Sequence, residues 1–207
     1  LLFTLGDRTA DYAKKLGGNI IKIVPVGSLF MERELYRRKD KNKFKSYDLL
    51  VFASNHNENA HSGYNSYFDD YYTHFEWIKK FSEEYPKFEI CIKLKKILTD
   101  QKVIKLFDKS KNVYTIVDST KEISDTYYLA DKAKALCTWS STLGFEFIGH
   151  GKECYFLDPN LKNTSFIPND EYILSAKVKN YVEFKEKIIS KIDGNIDKNI
   201  FVNKNNF

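Results

Sequence analysis

Arginine is scarce in this chain. Only Arg8, Arg33, Arg37 and Arg38 carry a guanidinium, although the formal net charge is +5. Lysine supplies the remaining positive charge and is scattered along the sequence. Arginine is the side chain suited to bidentate phosphate recognition. With no stripe of it, the basic balance reads as a solvated surface and no nucleic-acid partner is expected. There is no C-x-x-C pair. The three cysteines, Cys91, Cys137 and Cys154, each sit inside an apolar run. That spacing argues against a zinc site or redox pair, and for buried free thiols in a reducing compartment. No apolar run approaches the ~20 residues of a membrane span. The start carries neither a signal-peptide nor an Arg-rich transit pattern. No internal repeat occurs, and no Ser-His-Asp, Walker or G-x-G-x-x-G pattern is found. The first residue is Leu1 rather than Met, so the chain is expected to be part of something longer.

What is present is a core and an alternation. Hydrophobic residues make up 43% and aromatic residues 15% of the 207 positions, enough for a sizeable core in one α/β domain. "YDLLVFAS" (47–54) is a continuous apolar run, as a strand buried on both faces requires. A helix is expected over 66–85, with Tyr67, Tyr71, Phe75 and Ile78 on one side and Pro86 as its stop. A strand follows at 87–94. Next come a helix at 99–110 with Thr99 as a cap, a strand at 112–118 and a helix at 120–133. The series continues with a strand at 134–139, a short helix, and a strand at 153–158. "YILSA" (172–176) reads as an edge strand and 182–192 as a terminal amphipathic helix. Strands alternating with helices predict a three-layer α/β/α, Rossmann-like domain with a mainly parallel sheet. The first 45 residues have strand–helix–strand character and end in a charged run. The expected division is a hinge or remnant of a preceding domain at 1–45, the main domain at 46–193, and a tail at 194–207.

One stretch concentrates polar chemistry. "CTWSSTLGFEFIGHGK" ends a strand in Trp139, adds Ser140, Ser141 and Thr142, and opens a helix that carries Glu146. The first N–H groups of a helix lack intrahelical partners and form the positive end of its dipole. With short hydroxyls beside them they can cradle a phosphate. One hydroxyl can instead merely cap the helix. A capping box from any of the three would need Glu or Gln at Leu143, Gly144 or Phe145, so Glu146 has no capping role. Thr142, Glu146 and His150 share a face. A carboxylate one turn below a bound phosphate is placed to accept hydrogen bonds from a ribose diol.

Other candidates are weaker. The polar loop at 54–65 follows the first main strand and holds Asn55, His56 and His61; it is either a ligand-contacting loop or an ordinary surface loop. Its histidines have no carboxylate or cysteine cluster beside them, so no metal is expected. Asp118 ends a strand and suits either a base or sugar contact or a turn. His74 and the aromatic run around it read as packing surface.

The motif order from "DLLVFASN" through "LADKAKALCTWSSTLGFEFIGHGKECYFLD" resembles the C-terminal half of B-type-fold glycosyltransferases. It is similar in particular to bacterial surface-carbohydrate and capsule enzymes and to the glycerophosphotransferases of teichoic acid synthesis. The resembling segments here are Leu129-Ala130-Asp131, Ser140-Ser141-Thr142, Glu146 and Gly151-Lys152, with "VPVGS" (24–28) resembling the run into the hinge. The resemblance implies two facing Rossmann-like domains and a nucleotide-sugar donor bound by this one. It implies metal-independent transfer with no cofactor: Ser140, Ser141, Thr142 and helix N–H groups steady the departing nucleoside diphosphate, and Glu146 holds the ribose. Lys93 fits a basic position that contacts the donor phosphate, but the His-Pro that follows it in the family is replaced here by Leu94-Lys95-Lys96. Lys93 otherwise reads as a solvated strand residue. No catalytic base can be named, since the family draws it from the N-terminal domain. The implied partners are the donor and that N-terminal domain. The implied setting is cytoplasmic, with the acceptor as a route to the inner face of the membrane. Two alternatives stay open: a non-catalytic nucleotide-binding or protein-interaction module, and half of a sugar-nucleotide epimerase.

Overall fold

Long apolar runs that alternate with amphipathic segments settle into a layered sheet in the computed structural model. It describes residues 1–4, 7–17, 21–36, 45–53, 65–94, 101–117, 124–139, 141–159 and 176–194. The chain begins with a small parallel unit: β1 (Leu2–Thr4), α1 (Asp7–Leu16) and β2 (Ile23–Pro25). Helix α2 (Leu29–Tyr36) leads away from it. The main sheet follows, built from β3 (Leu49–Phe52), β4 (Ile90–Leu94), β5 (Val113–Val117), β6 (Ala135–Thr138), β7 (Cys154–Leu157) and β8 (Lys177–Val178). Between them run α3 (Asn65–Glu84), α4 (Gln101–Phe107), α5 (Ser124–Lys132) and α6 (Thr142–Gly149), and α7 (Tyr181–Ile192) closes the described chain.

The main sheet has the order β5-β4-β3-β6-β7-β8, and every pairing in it is parallel. Both faces are covered, as a parallel sheet requires. Alternate residues divide cleanly between them. Leu49, Val51, Ile90, Ile92, Ala135 and Leu157 pack under Phe75, Ile78 and Phe81 of α3, Val103 and Phe107 of α4, and Phe184 and Ile188 of α7. Leu50, Phe52, Cys91, Leu136, Cys154 and Phe156 pack under Tyr127 and Leu129 of α5, Phe147 and Ile148 of α6, and Met31 of α2. The three-layer α/β expectation is met.

The edge strand lies at Lys177–Val178, hydrogen-bonded beside Phe156 and Leu157. Residues 172–175 of the expected strand, like Thr99, Tyr67 and Tyr71 as side chains, lie outside the described residues. All three cysteines are buried and free. Lys45 anchors the end of the charged run to the opposite, amino-terminal edge of the sheet. Its ammonium meets Glu89 at 2.6 Å and lies 4.1 Å from the centroid of the Tyr114 ring. Among the described residues no helix is long and apolar enough to cross a membrane, and no group of three or more His, Cys, Asp or Glu gathers to hold a metal.

Candidate functional site

Strand order decides where a ligand can enter. From β3 the chain winds outward to β4 and β5, then returns to β6 on the other side and winds outward to β7 and β8. The connections after β3 and β6 therefore diverge, which opens a crevice at their carboxyl ends. Thr138 and Phe52 are paired across this point. The Thr138 hydroxyl donates to the Phe52 carbonyl at 2.9 Å, deep in the interior. Beyond Thr138 come Trp139 and the hydroxyl-rich turn. The polar stretch around residue 142 thus stands at the switch point of the sheet.

The turn itself is divided in role. Ser141 is the N-cap of α6 in extended conformation, and its hydroxyl accepts the Leu143 N–H at 3.3 Å. It is only 7% exposed, so part of its capacity is spent on capping. The Gly144 N–H goes to the Ser141 carbonyl. Thr142 is exposed at the first helical position, and its N–H has no partner among the described residues. Ser140 lies outside the described residues, as do Asn55, His56 and Asp118. Lys93 is in register with Phe52, so Lys93, Phe52 and Thr138 form one row across β4, β3 and β6. Lys93 is 4% exposed. It is not the solvated residue that strand alternation suggested.

Glu146 is held by two neighbours that the sequence did not connect to it. Its Oε2 accepts the Ser28 hydroxyl at 2.7 Å and the Tyr127 hydroxyl at 2.8 Å. Ser28 lies in the "VPVGS" segment and also accepts the Met31 N–H at 3.2 Å, so it caps α2. Tyr127 projects from α5, and its ring packs against Phe147 at 5.8 Å between centroids. Phe147 in turn stacks on Phe52 at 5.5 Å. From the sequence, Tyr127 is only one position of the helix expected at 120–133, and Ser28 the end of the run into the hinge. A contact spanning 118 positions leaves no trace in local periodicity.

Helix α6 is seated and ended by recognisable devices. Gly144 faces Phe156 so closely that an added Cβ would lie 2.7 Å from the ring. Gly151 has φ +80°. Its N–H bonds the Ile148 carbonyl and the Lys152 N–H bonds the Phe147 carbonyl, the paired closure of a helix C-terminus. The Lys152 ammonium then donates to the Ala130 and Asp131 carbonyls at the end of α5. The separated segments "LAD" and "GK" thus meet in space and clamp α5 to α6. His150 is exposed at the far end of α6 from the turn.

Solved structures with the same architecture cover nearly the whole chain. A putative UDP-N-acetylglucosamine 2-epimerase from Listeria monocytogenes superposes with a TM-score of 0.65 at 14% identity, over 99% of this chain and 54% of that one. The UDP-GlcNAc 2-epimerase from Methanocaldococcus jannaschii in complex with UDP-GlcNAc and UDP gives 0.62 at 19%, over 98% and 57%. The enzyme from Neisseria meningitidis bound to UDP-GlcNAc gives 0.59 at 15%, over 92% and 52%. The likeness is one of fold. This chain spans about half the length of those structures. No family model and no curated protein matches it.

Proposed function

We propose that this chain is the nucleotide-sugar-binding half of a two-domain enzyme acting on UDP-sugars, and that its reaction is epimerisation of the sugar. The observation that carries the reading is the position of the hydroxyl turn and Glu146 at the β3–β6 switch point, where a doubly wound sheet offers its crevice. In this reading the α6 N-terminus, with Ser140, Ser141 and Thr142, receives the diphosphate. Glu146, four residues and so about 6 Å along the helix, accepts from the ribose diol. Asn55 and His56, which follow β3 in the sequence, and Asp118, which follows β5, are assigned to the sugar or the base. Lys93 contributes positive charge from the floor of the crevice. The similarity in fold, over nearly all of this chain and about half of each neighbour, to enzymes named as UDP-GlcNAc 2-epimerases favours epimerisation. The preceding domain supplies the catalytic base.

A second reading, a glycosyltransferase of surface-polysaccharide synthesis, rests on the sequence resemblance and on the meeting of its "LAD" and "GK" segments in the structure. In that reading the acceptor brings the enzyme to the membrane. Supplying the full-length enzyme with UDP-GlcNAc and no acceptor separates the two. An epimerase interconverts the sugar; a transferase leaves it unchanged until an acceptor is added.

Calorimetry of this chain with UDP, CDP and GDP tests the binding itself. UDP is expected to bind, and Glu146→Ala to weaken it by roughly 10- to 100-fold, the scale of a hydrogen bond to a charged group. Silence across the panel would favour an interaction module.

A further inference from the structure

The two hydroxyls on Glu146 share one feature: both reach the same oxygen. Ser28 and Tyr127 donate to Oε2, and among the described residues no donor reaches Oε1. Neither donor brings a charge, so neither neutralises the carboxylate as a lysine or arginine would. Together they saturate one side of the group and fix its plane. The side chain is partly buried, on a helix whose own position is set by the Gly144–Phe156 approach and the Lys152 clamp.

We infer that Ser28 and Tyr127 are positioning residues that hold Glu146 by Oε2, so that Oε1 is presented to the ribose diol of the nucleotide. The inference rests on the nucleotide-binding reading of the same site and adds the residues that orient it. A free glutamate on a helix surface samples several rotamers, and binding has to remove that freedom. Here folding has already removed it. The device also joins three elements that lie far apart in the chain. Ser28 belongs to the turn into α2, Tyr127 to α5 and Glu146 to α6. The ribose contact is therefore built only when the segment leading from the small β1–β2 unit is docked on the main sheet.

The test compares UDP with 2′-deoxy-UDP on the full chain. The ratio of the two dissociation constants reads the ribose contact alone, because base and diphosphate are common to both. Wild type is expected to prefer UDP. Tyr127→Phe keeps the ring on Phe147 and removes only the hydroxyl. It is expected to weaken UDP about three- to tenfold while changing 2′-deoxy-UDP less than about twofold. Ser28→Ala is expected to act in the same direction and Ser28→Thr, which retains a hydroxyl, to restore the preference. Ser28→Ala also removes the α2 cap, so a loss confined to stability lowers the melting temperature and weakens both nucleotides together. If wild type discriminates and both Tyr127→Phe and Ser28→Ala discriminate equally well, the positioning role is wrong and the binding reading stands. If wild type binds neither nucleotide, both are wrong.

Discussion

Gly144 stands in the interior of α6, where glycine costs about 1 kcal/mol relative to alanine in an ordinary helix. Its presence there is explained by Phe156, whose ring atoms would lie 2.7 and 2.9 Å from any added Cβ. Gly144→Ala is therefore expected to destabilise the fold by about 1–3 kcal/mol, despite the better propensity. Urea denaturation measures this, and a neutral or stabilising result would contradict the close approach. The cysteines make a second residue-scale prediction. Burial pushes the Cys91 thiol up from 9.0 to about 12, an effect that Lys93 only partly opposes. Burial raises Cys137 and Cys154 as well. A thiol whose folded pKa is raised favours the neutral form. Its contribution to stability is whole below the unfolded value and is lost as pH rises from about 9 towards 12. Stability is thus expected to fall across that range, and to fall less in Cys91→Ala; an equal fall in the variant would count against the burial. A thiol reagent is expected to label none of the three in the folded chain and all three once it is unfolded. Burial of these cysteines was legible from their apolar neighbours. The Lys93 environment was not, because strand alternation assigns a face but cannot say whether that face is covered.

Elements were legible where their period is long. Helix α3 was expected over 66–85 and runs Asn65–Glu84; α7 was expected at 182–192 and runs Tyr181–Ile192. The two-residue edge strand β8 was not, since a run so short has no period. The order of elements around α6 was read correctly, but what holds them was not. "LAD" and "GK" were noticed as a pattern, and only the structure reveals the Lys152 clamp between them. Lys152→Met retains the aliphatic stem and removes the donor to the last α5 carbonyls. It is expected to cost about 1 kcal/mol of stability and to weaken UDP binding modestly, because Tyr127 and Glu146 sit on the two helices it joins. Asn180→Ala removes the cap of α7, a helix on the opposite face of the sheet from α6; it is expected to cost about 1 kcal/mol as well but to leave UDP affinity unchanged. Equal effects of the two variants on affinity, measured by calorimetry, would show that the clamp has no special bearing on the site.

At the scale of the whole molecule, alternation of strands and helices predicted a parallel sheet with helices on both faces. It did not predict the strand order, since several doubly wound orders share the same alternation. That order is what makes the opening after β3 and β6 a crevice, and so what gives the hydroxyl turn and Glu146 a common address. The most direct test is a crystal structure of this chain with UDP. The account predicts the diphosphate at the start of α6, within hydrogen-bond distance of the Thr142 N–H, and the ribose diol on Oε1 of Glu146, with Ser28 and Tyr127 still on Oε2. Nucleotide bound at the amino-terminal edge of the sheet, or in the crevice but with its ribose away from Glu146, would contradict it.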